Sequence, residues 1–106
     1  GSKQIYVTDL SGKVTRITND KKVNSSPDWY PDGQRLLYAS QDDEEGDANF
    51  FSIKLEKNAK PVQLTRFGGR NVAPSLFPYG LSFLYSTNRF WPGWDICRFT
   101  LSTAQE

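Results

Sequence analysis

Two short segments of the chain carry side chains that can bind a cation or a partner. The first contains five of the twelve acidic residues within six positions: Asp42, Asp43, Glu44, Glu45 and Asp47. Clustered carboxylates supply the hard oxygen ligands that Ca²⁺ prefers, but this segment lacks the alternating ligands and closing glutamate of an EF-hand loop. We therefore assign no metal and no cofactor, predict a solvated hairpin loop, and keep a cation loop as the alternative.

The second segment is aromatic and contains Phe90, Trp91 and Trp94 within five positions. Aromatic anchors supply much of the binding energy at protein interfaces, so the segment is a candidate partner-binding loop. The alternative is that its rings close one end of the core. Three polar residues are further candidates for partner binding: Asn24, Asn71 and Arg70. For the two asparagines, satisfying the backbone of a turn is the competing interpretation.

Catalytic constellations are missing from the sequence, and we predict that the chain is not an enzyme. It contains no histidine, which excludes Ser-His-Asp and Cys-His systems and a histidine-based zinc site. Asp28 and Asp32 stand close enough in sequence to suggest a carboxylate pair, but a turn accounts for Asp32. Cys97 is the single cysteine, so no disulfide can form within the chain.

The overall charge and hydropathy argue against two classes of partner. The formal net charge is +1, which gives no general attraction to nucleic acid or to an anionic membrane. No apolar run approaches the roughly 20 residues that a membrane span requires, so we predict no membrane insertion. Gly1-Ser2 is followed directly by repeat sequence, so we identify no signal peptide and assign no compartment from the residues.

The elements that must position these segments belong to an internal repeat. Four residues recur 47 positions later without a change in spacing: Pro27, Pro31, Gly33 and Tyr38 return as Pro74, Pro78, Gly80 and Tyr85. A period of this length is typical of repeat architectures. Pro31-Asp32-Gly33 has the residue preferences of a type I turn followed by a residue of positive φ. We therefore expect a tight turn at the same place in each copy.

Each copy predicts four short strands, which we name A to D from the first proline onward. Strand A covers Asp28–Tyr30 and Ser75–Phe77, and strand B covers Arg35–Ser40 and Leu81–Thr87. Strand C covers Ile5–Leu10, Phe50–Leu55 and Ile96–Leu101, and strand D covers Val14–Thr18 and Val62–Thr65. Runs of β-branched and aromatic residues bounded by Gly, Pro, Asn and Asp indicate strands. No stretch keeps an apolar helical period for three turns, so we predict almost no helix.

Strands B and D differ in polarity, which predicts their places in the sheet. Leu36, Leu37, Tyr38 and Ala39 make strand B apolar on both faces, as expected of a strand between two packed layers. Val14–Thr18 is half polar, which suits an outer edge where charge discourages edge-to-edge pairing. This gradation is typical of a propeller blade with strand A innermost and strand D outermost.

The order of these motifs resembles the TolB-like β-propeller repeat, a WD40-like Pro-Asp-Gly repeat also found in tricorn-type and prolyl-peptidase-type propellers. The matching segments are Ile5–Leu10, Ile17-Thr18, Pro27–Gly33 and Leu36–Ser40. The second copy departs from the motif at Leu76 and Tyr79, which replace its tryptophan and its aspartate. The resemblance implies an all-β fold of about two four-stranded antiparallel blades and a protein or peptide partner. For a TolB-like context it also implies a periplasmic location.

The chain is predicted to be one repeat unit with three parts. Residues 1–20 form a partial blade with strands C and D, residues 24–66 a complete blade, and residues 71–102 a partial blade with strands A to C. Propellers close with typically four to eight blades, so this unit alone leaves two sheet faces open. Three explanations stay open: a part of a larger propeller, a ring of copies in which a trimer supplies six blades, or a different compact β arrangement.

The loops of a propeller determine where its candidate binding residues meet. The B–C and D–A loops of such a fold emerge on one face. We therefore expect four segments to share that face: Asn19–Asn24, Asp42–Asp47, Phe67–Asn71 and Phe90–Trp94. The leading hypothesis is a non-catalytic protein-binding or scaffold module. The alternatives are the propeller portion of a larger prolyl-peptidase-type enzyme and a self-assembling propeller ring.

Overall fold

Nine β-strands form three antiparallel sheets in the computed structural model, which describes residues 2–90 and 92–101. The strands are β1 (Tyr6–Thr8), β2 (Val14–Arg16), β3 (Val23–Trp29), β4 (Arg35–Gln41), β5 (Asn49–Lys54), β6 (Val62–Gln63), β7 (Asn71–Leu76), β8 (Ser82–Thr87) and β9 (Asp95–Thr100). The strand orders are β1-β2, β3-β4-β5-β6 and β7-β8-β9. The residues described contain no helix, and hence none that is long and apolar enough to cross a membrane. The predicted all-β class is confirmed.

The strand order in the sheets follows the predicted blade pattern. The middle sheet contains the complete A-B-C-D series as β3 to β6, the first sheet contains C and D, and the third contains A to C. Strand β4 pairs with both β3 and β5, so strand B lies inside the sheet. Strand β6 lies at the edge and pairs with β5 through Phe51 and Ser52. The half-polar strand D is therefore at the edge that its composition predicts.

Strand A begins earlier than the sequence predicts. It starts at Val23 in β3 and at Asn71 in β7, well before the predicted first residues. Its pairing with strand B is interrupted near Ser26 and Ala73, which adopt φ values of 54° and 55°. A proline follows each of them and has no amide hydrogen to donate, and the irregularity lets the strand continue past it. Serine and proline usually mark a strand boundary, which explains why the sequence predicts a later first residue for strand A.

Tight turns join strands A and B as predicted. The Gly33 amide donates to the Tyr30 carbonyl at 2.9 Å, and the Gly80 amide donates to the Phe77 carbonyl at 2.9 Å. Both glycines have a φ of 69°, which glycine adopts without the steric cost of a side chain. The Asp32 carboxylate accepts a hydrogen bond at 2.8 Å from the amide two residues later. Asp32 therefore serves the turn, as the sequence indicates.

The middle sheet is buried on both faces, which confirms its predicted place between two layers. Leu36 and Tyr38 of β4 belong to a core cluster that includes Ile5 of the first sheet. Leu37 and Ala39 belong to a second cluster, shared with the third sheet. Aromatic rings fill this second interface, and the rings in contact there are Phe50, Phe67, Phe83, Tyr85 and Phe99. The two interfaces of the middle sheet thus differ in composition.

The first and third sheets each expose one apolar face. Tyr6 and Val14 lie on the outer face of the first sheet, where they are 55% and 59% exposed. Leu84 and Ile96 lie on the outer face of the third sheet, where they are 40% and 70% exposed. Leu84 occupies the repeat position of Leu37, which is fully buried in the middle sheet. The chain therefore leaves open the two sheet faces that the sequence predicts.

Candidate functional site

Loops that are distant in sequence meet at one end of the stacked sheets. The Gly69 amide donates to the Asp47 carboxylate at 2.9 Å, and the Arg70 guanidinium donates to the Glu44 carbonyl at 3.1 Å. The Arg70 amide also donates to the Asn88 side-chain oxygen at 2.7 Å. We name this end of the molecule the loop face. It comprises residues 19–22, 42–48, 66–70 and 88–94, of which Trp91 lies outside the described residues.

The acidic loop of this face is held in a tight turn by Asp43. The Asp43 carboxylate accepts from the Glu45 amide at 2.9 Å, and the Asp43 carbonyl accepts from the Gln41 side chain at 2.6 Å. The Lys22 ammonium lies 3.8 Å from the Asp42 carboxylate. Within residues 2–90 and 92–101, no three acidic, histidine or cysteine side chains are grouped as metal ligands. The cation loop of Asp42, Asp43, Glu44, Glu45 and Asp47 therefore stays a prediction that geometry does not support.

Asn24 and Asn71 lie in strands rather than in loops, and their side chains are buried. The Asn71 amide group donates to the Ala48 carbonyl at 2.7 Å, and the Asn24 amide group donates to the Lys3 carbonyl at 3.0 Å. Each bond joins the start of strand A to the chain just before strand C of the preceding sheet. The two side chains therefore link neighbouring sheets from positions that a partner at the surface does not reach. The recurrence of asparagine at a 47-residue interval was the signal for this link.

The two asparagines differ in what their side-chain oxygen contacts. Asn71 Oδ1 accepts from the Thr87 hydroxyl at 2.7 Å and from the Arg89 guanidinium at 3.2 Å. In the part of the chain described, buried Asn24 Oδ1 and the buried Ser40 hydroxyl have no hydrogen-bond partner. Ser40 lies opposite Asn24 in the sheet register, as Thr87 lies opposite Asn71. The hydrogen bond between Asn71 and Thr87 in the second copy therefore has no counterpart between Asn24 and Ser40 in the first copy.

Arg89 holds the aromatic part of the loop face in place. Its guanidinium carbon lies 4.0 Å from the ring centre of Phe67 and 4.7 Å from that of Phe90, within the range of a cation–π interaction. Phe90 is 53% exposed and Trp94 is 55% exposed, so both rings present apolar surface to solvent. Arg89 was not predicted as a functional residue, although its position directly before the aromatic segment was a signal.

The groups with shifted pKa values lie away from the loop face. Burial raises the pKa of Tyr38 and the pKa of Tyr30, both of which belong to the core. In the turn between β1 and β2, the hydrogen bond from the Ser11 hydroxyl lowers the pKa of the Asp9 carboxyl. Perturbed pKa values often mark catalytic groups, but here they report core packing and a turn. What the loop face offers is exposed rings beside fixed charges.

Comparison with known proteins gives a partial match. No family model matches the chain. The Tol-Pal system protein TolB of Francisella tularensis subsp. mediasiatica, and that of subsp. holarctica, are each 38% identical over 60 residues, which cover 56% of this chain and 14% of the relative. The Tol-Pal system protein TolB of Desulfosudis oleivorans is 37% identical over 79 residues, which cover 74% of this chain and 17% of the relative. The chain thus spans a small part of the length of these relatives, and it is similar to TolB over that part.

Proposed function

We propose that this chain is a non-catalytic, TolB-like protein-binding module that recruits its partner through the loop face. The observation that carries the proposal is the exposure of Phe90 and Trp94 next to an arginine that packing holds in place. Binding hot spots are enriched in tryptophan, tyrosine and arginine because these side chains bury large areas and keep a polar handle. Because Arg89 already packs against Phe90, this ring loses less conformational entropy when a partner covers it.

Charges around these rings provide the polar rim that protein interfaces have. Arg70 is exposed, and its guanidinium donates to a carbonyl of the acidic loop, whose acidic residues are exposed. Interfaces typically combine an apolar centre with a polar, solvated edge, and edge charges set orientation and association rate more than affinity. We therefore expect a partner with an apolar pocket for the rings and a basic patch for the acidic loop.

The relatives indicate which partners to test first. They carry the name Tol-Pal system protein, so the first candidates are the other proteins of the Tol-Pal system in the organism that encodes this chain. A non-catalytic role is supported by the sequence, in which the absence of histidine excludes Ser-His and Cys-His pairs. Arginine and aromatic side chains on the loop face bind but do not by themselves provide acid or base chemistry at neutral pH.

Purified Tol-Pal proteins and the immobilised chain test the proposal by biolayer interferometry. The double variant Phe90→Ala/Trp94→Ala is expected to weaken binding by at least about tenfold, since hot-spot truncations cost about 2 kcal/mol or more. Tyr79→Ala is the control, because Tyr79 is an aromatic ring that is even more exposed, at 88%, and lies in an A–B turn at the opposite end. The loop face is refuted as the binding site if Tyr79→Ala weakens binding as much as the double variant does. It is also refuted if neither variant changes binding.

Self-association is a second candidate function, and the two open sheet faces favour it. Tyr6 and Val14 on one face, and Leu84 and Ile96 on the other, are exposed apolar residues of a kind that packed layers normally cover. A heterologous contact between unlike faces of copies forms rings when the rotation closes, and three copies supply the six blades considered above. Light scattering after size-exclusion chromatography tests self-association. Leu84→Lys is expected to convert the oligomer to a monomer, and a wild-type chain that is already monomeric rules self-association out.

A further inference from the structure

A groove of about 520 Å³ lies between the first and second sheets. Its apolar lining includes Val7 and Ile17 from the first sheet and Ile53 and Leu55 from the second. Leu55 follows the last residue of β5, so the groove lies toward the end of the strands opposite the loop face. Ligand sites commonly have volumes of about 300–1,000 Å³, so this groove has room for several side chains of a bound segment.

The internal repeat explains why the groove is open at this interface. Ile53 occupies the repeat position of Phe99, and Ile17 occupies that of Leu64. Between the second and third sheets, the Phe99 ring centre lies 5.4 Å from that of Phe83, and Leu64 is buried. Between the first and second sheets, an isoleucine replaces that ring and Ile17 is half-buried. Because Ile53 is smaller than Phe99, a space that a ring fills between the second and third sheets is left unfilled between the first and second.

Basic residues outnumber acidic residues along the groove. Three basic residues line the groove, Arg16, Lys54 and Lys57, against one acidic residue, Glu56. None of the three basic groups has a carboxylate partner within 4.0 Å among the residues that the structure describes. The Arg16 guanidinium donates to the Thr18 carbonyl at 2.8 Å, which holds it in place without an ion pair. An anionic ligand that approaches it gains attraction without breaking an existing ion pair.

The strand beside the groove has an open backbone edge. The Asp9 amide donates to the Lys13 carbonyl, and the Ile17 amide donates to the Ile5 carbonyl. In an antiparallel pair such bonds alternate, so the backbone groups of Val14, between these bonded positions, are directed away from β1. The same alternation applies to Arg16. Since β2 pairs with β1 alone among the described strands, an extended peptide can add to it as a further strand.

We propose that this groove binds an extended acidic peptide segment of a partner protein, which adds to the open edge of β2. Alternate apolar side chains of the segment contact Ile17, Ile53 and their neighbours in the groove. The carboxylates on the other face of the segment lie beside Arg16, which shares the outer face of the first sheet with Tyr6. Main-chain hydrogen bonds to an edge strand supply affinity, and pockets for alternate side chains supply specificity. The site is separate from the loop face and does not depend on it, so each can bind while the other is disabled.

Two designed peptides test the charge requirement in the ¹⁵N-labelled chain by NMR titration. The acidic peptide is acetyl-Asp-Val-Glu-Ile-Asp-Val-Glu-amide, and the basic peptide replaces each acid with lysine. The acidic peptide is expected to shift the amide signals of β2 and of residues 53–59, and to bind at least about tenfold more tightly than the basic one. Equal binding of both peptides overturns the proposal, as does an absence of shifts at the groove. Shifts at the groove that depend on protein concentration without peptide also overturn it, in favour of a second copy as occupant.

Variants and N-methylated peptides test the contacts themselves. Arg16→Glu is expected to weaken acidic-peptide binding about tenfold, whereas Arg66→Glu, the same exchange at an exposed position on the loop face, leaves it unchanged. Because a strand bonds its neighbour through alternate residues, methylating one alternate set of peptide amides should abolish binding, and methylating the other set should preserve it. Equal effects of the two methylated peptides, or of the two variants, contradict the proposal. These side chains are exposed, so we expect all variants to fold, which circular dichroism checks.

Discussion

Replacing Asn71 and Asn24 by alanine in separate variants compares two equivalent links between sheets. Asn71 donates to the Ala48 carbonyl at 2.7 Å and accepts from the Thr87 hydroxyl at 2.7 Å. Asn71 also donates to the Gly68 and Gly69 carbonyls at 3.3 Å and accepts from the Arg89 guanidinium at 3.2 Å. Asn24 donates to the Lys3 carbonyl at 3.0 Å, to the Asp20 carboxylate at 2.9 Å and to the Gln4 side-chain oxygen at 3.3 Å, while its own oxygen is buried without a partner among the described residues. Both side chains are buried. The two substitutions therefore remove the same atoms from the same repeat position but break different numbers of hydrogen bonds.

The hydrogen bonds predict unequal losses of stability. Asn71→Ala removes bonds on both sides of the amide and leaves a buried carbonyl and hydroxyl short of a partner, at about 1–3 kcal/mol for each group. We expect a total of about 3–4 kcal/mol from these terms. Asn24→Ala also removes a buried oxygen that has no partner, and this gain offsets part of the loss, so we expect about 1–2 kcal/mol. The predicted difference between the variants is about 2 kcal/mol, more than a tenth of the total stability of an ordinary domain.

Urea unfolding followed by far-ultraviolet circular dichroism measures both free energies of unfolding. The comparison requires equal m-values, since a changed m-value indicates a change in the exposed surface rather than in stability alone. If Asn71→Ala is too unstable to fold, Thr87→Val and Ser40→Ala make the same comparison with milder, uncharged changes, because the Thr87 hydroxyl bonds to Asn71 whereas the Ser40 hydroxyl has no partner among the described residues. A loss for Asn24→Ala that equals or exceeds the loss for Asn71→Ala would refute the reasoning that the unpaired oxygen weakens the first link.

Three further substitutions probe single contacts. Ser40→Thr is expected to raise the free energy of unfolding by about 1 kcal/mol, because a threonine in the position of Thr87 directs its hydroxyl to Asn24; an unchanged urea midpoint contradicts this. Gly69→Ala is expected to lower the free energy of unfolding by about 1 kcal/mol more than Gly33→Ala does. Both glycines have positive φ, but an added Cβ at Gly69 lies 2.9 Å from a side-chain oxygen, whereas one at Gly33 has no atom within 4 Å. Equal thermal midpoints for the two variants contradict this prediction. Burial raises the pKa of Tyr38 above its ordinary value of 10.0, so above pH 10 the phenol ionises in the unfolded chain while it stays protonated in the folded chain. The free energy of unfolding therefore decreases as the pH rises above 10. Tyr38→Phe is expected to make this alkaline decline shallower by up to about 1.4 kcal/mol per pH unit, and parallel declines in urea titrations argue against it.

The strand order could be predicted because each strand carries its own signal. The apolar residues on both faces of strand B identify an inner strand, and the structure buries Leu36, Leu37, Tyr38 and Ala39. Turn chemistry is equally local, so Gly33 identified the A–B turn without knowledge of the sheet. The start of strand A was predicted wrongly because a proline and polar residues usually mark a strand boundary, whereas here the neighbouring strand pairs with them.

The candidate site was less predictable because it depends on contacts between copies. Asn24 and Asn71 recur visibly, but the sequence does not show that they bond to carbonyl groups in the preceding sheet. Arg89 acts by stacking between Phe67 and Phe90, which are 23 positions apart in sequence. The groove arises from a size difference between Ile53 and Phe99 across two interfaces. Such differences become visible once the copies are compared in space.

The contrast between the two interfaces of the middle sheet bears on how the chain unfolds. Repeat proteins gain stability from each unit and from each contact between neighbouring units, so a weak contact divides them into separately opening parts. Ile5 of the first sheet packs against Leu36 and Tyr38 of the second, beside the groove. Rings from both sides, such as Phe50 and Phe83, 5.1 Å apart, join the second and third sheets. We expect amide hydrogens of β1 and β2 to exchange with solvent through a local opening of low free energy. The first sheet would then open as a separate unit, while the second and third sheets unfold together.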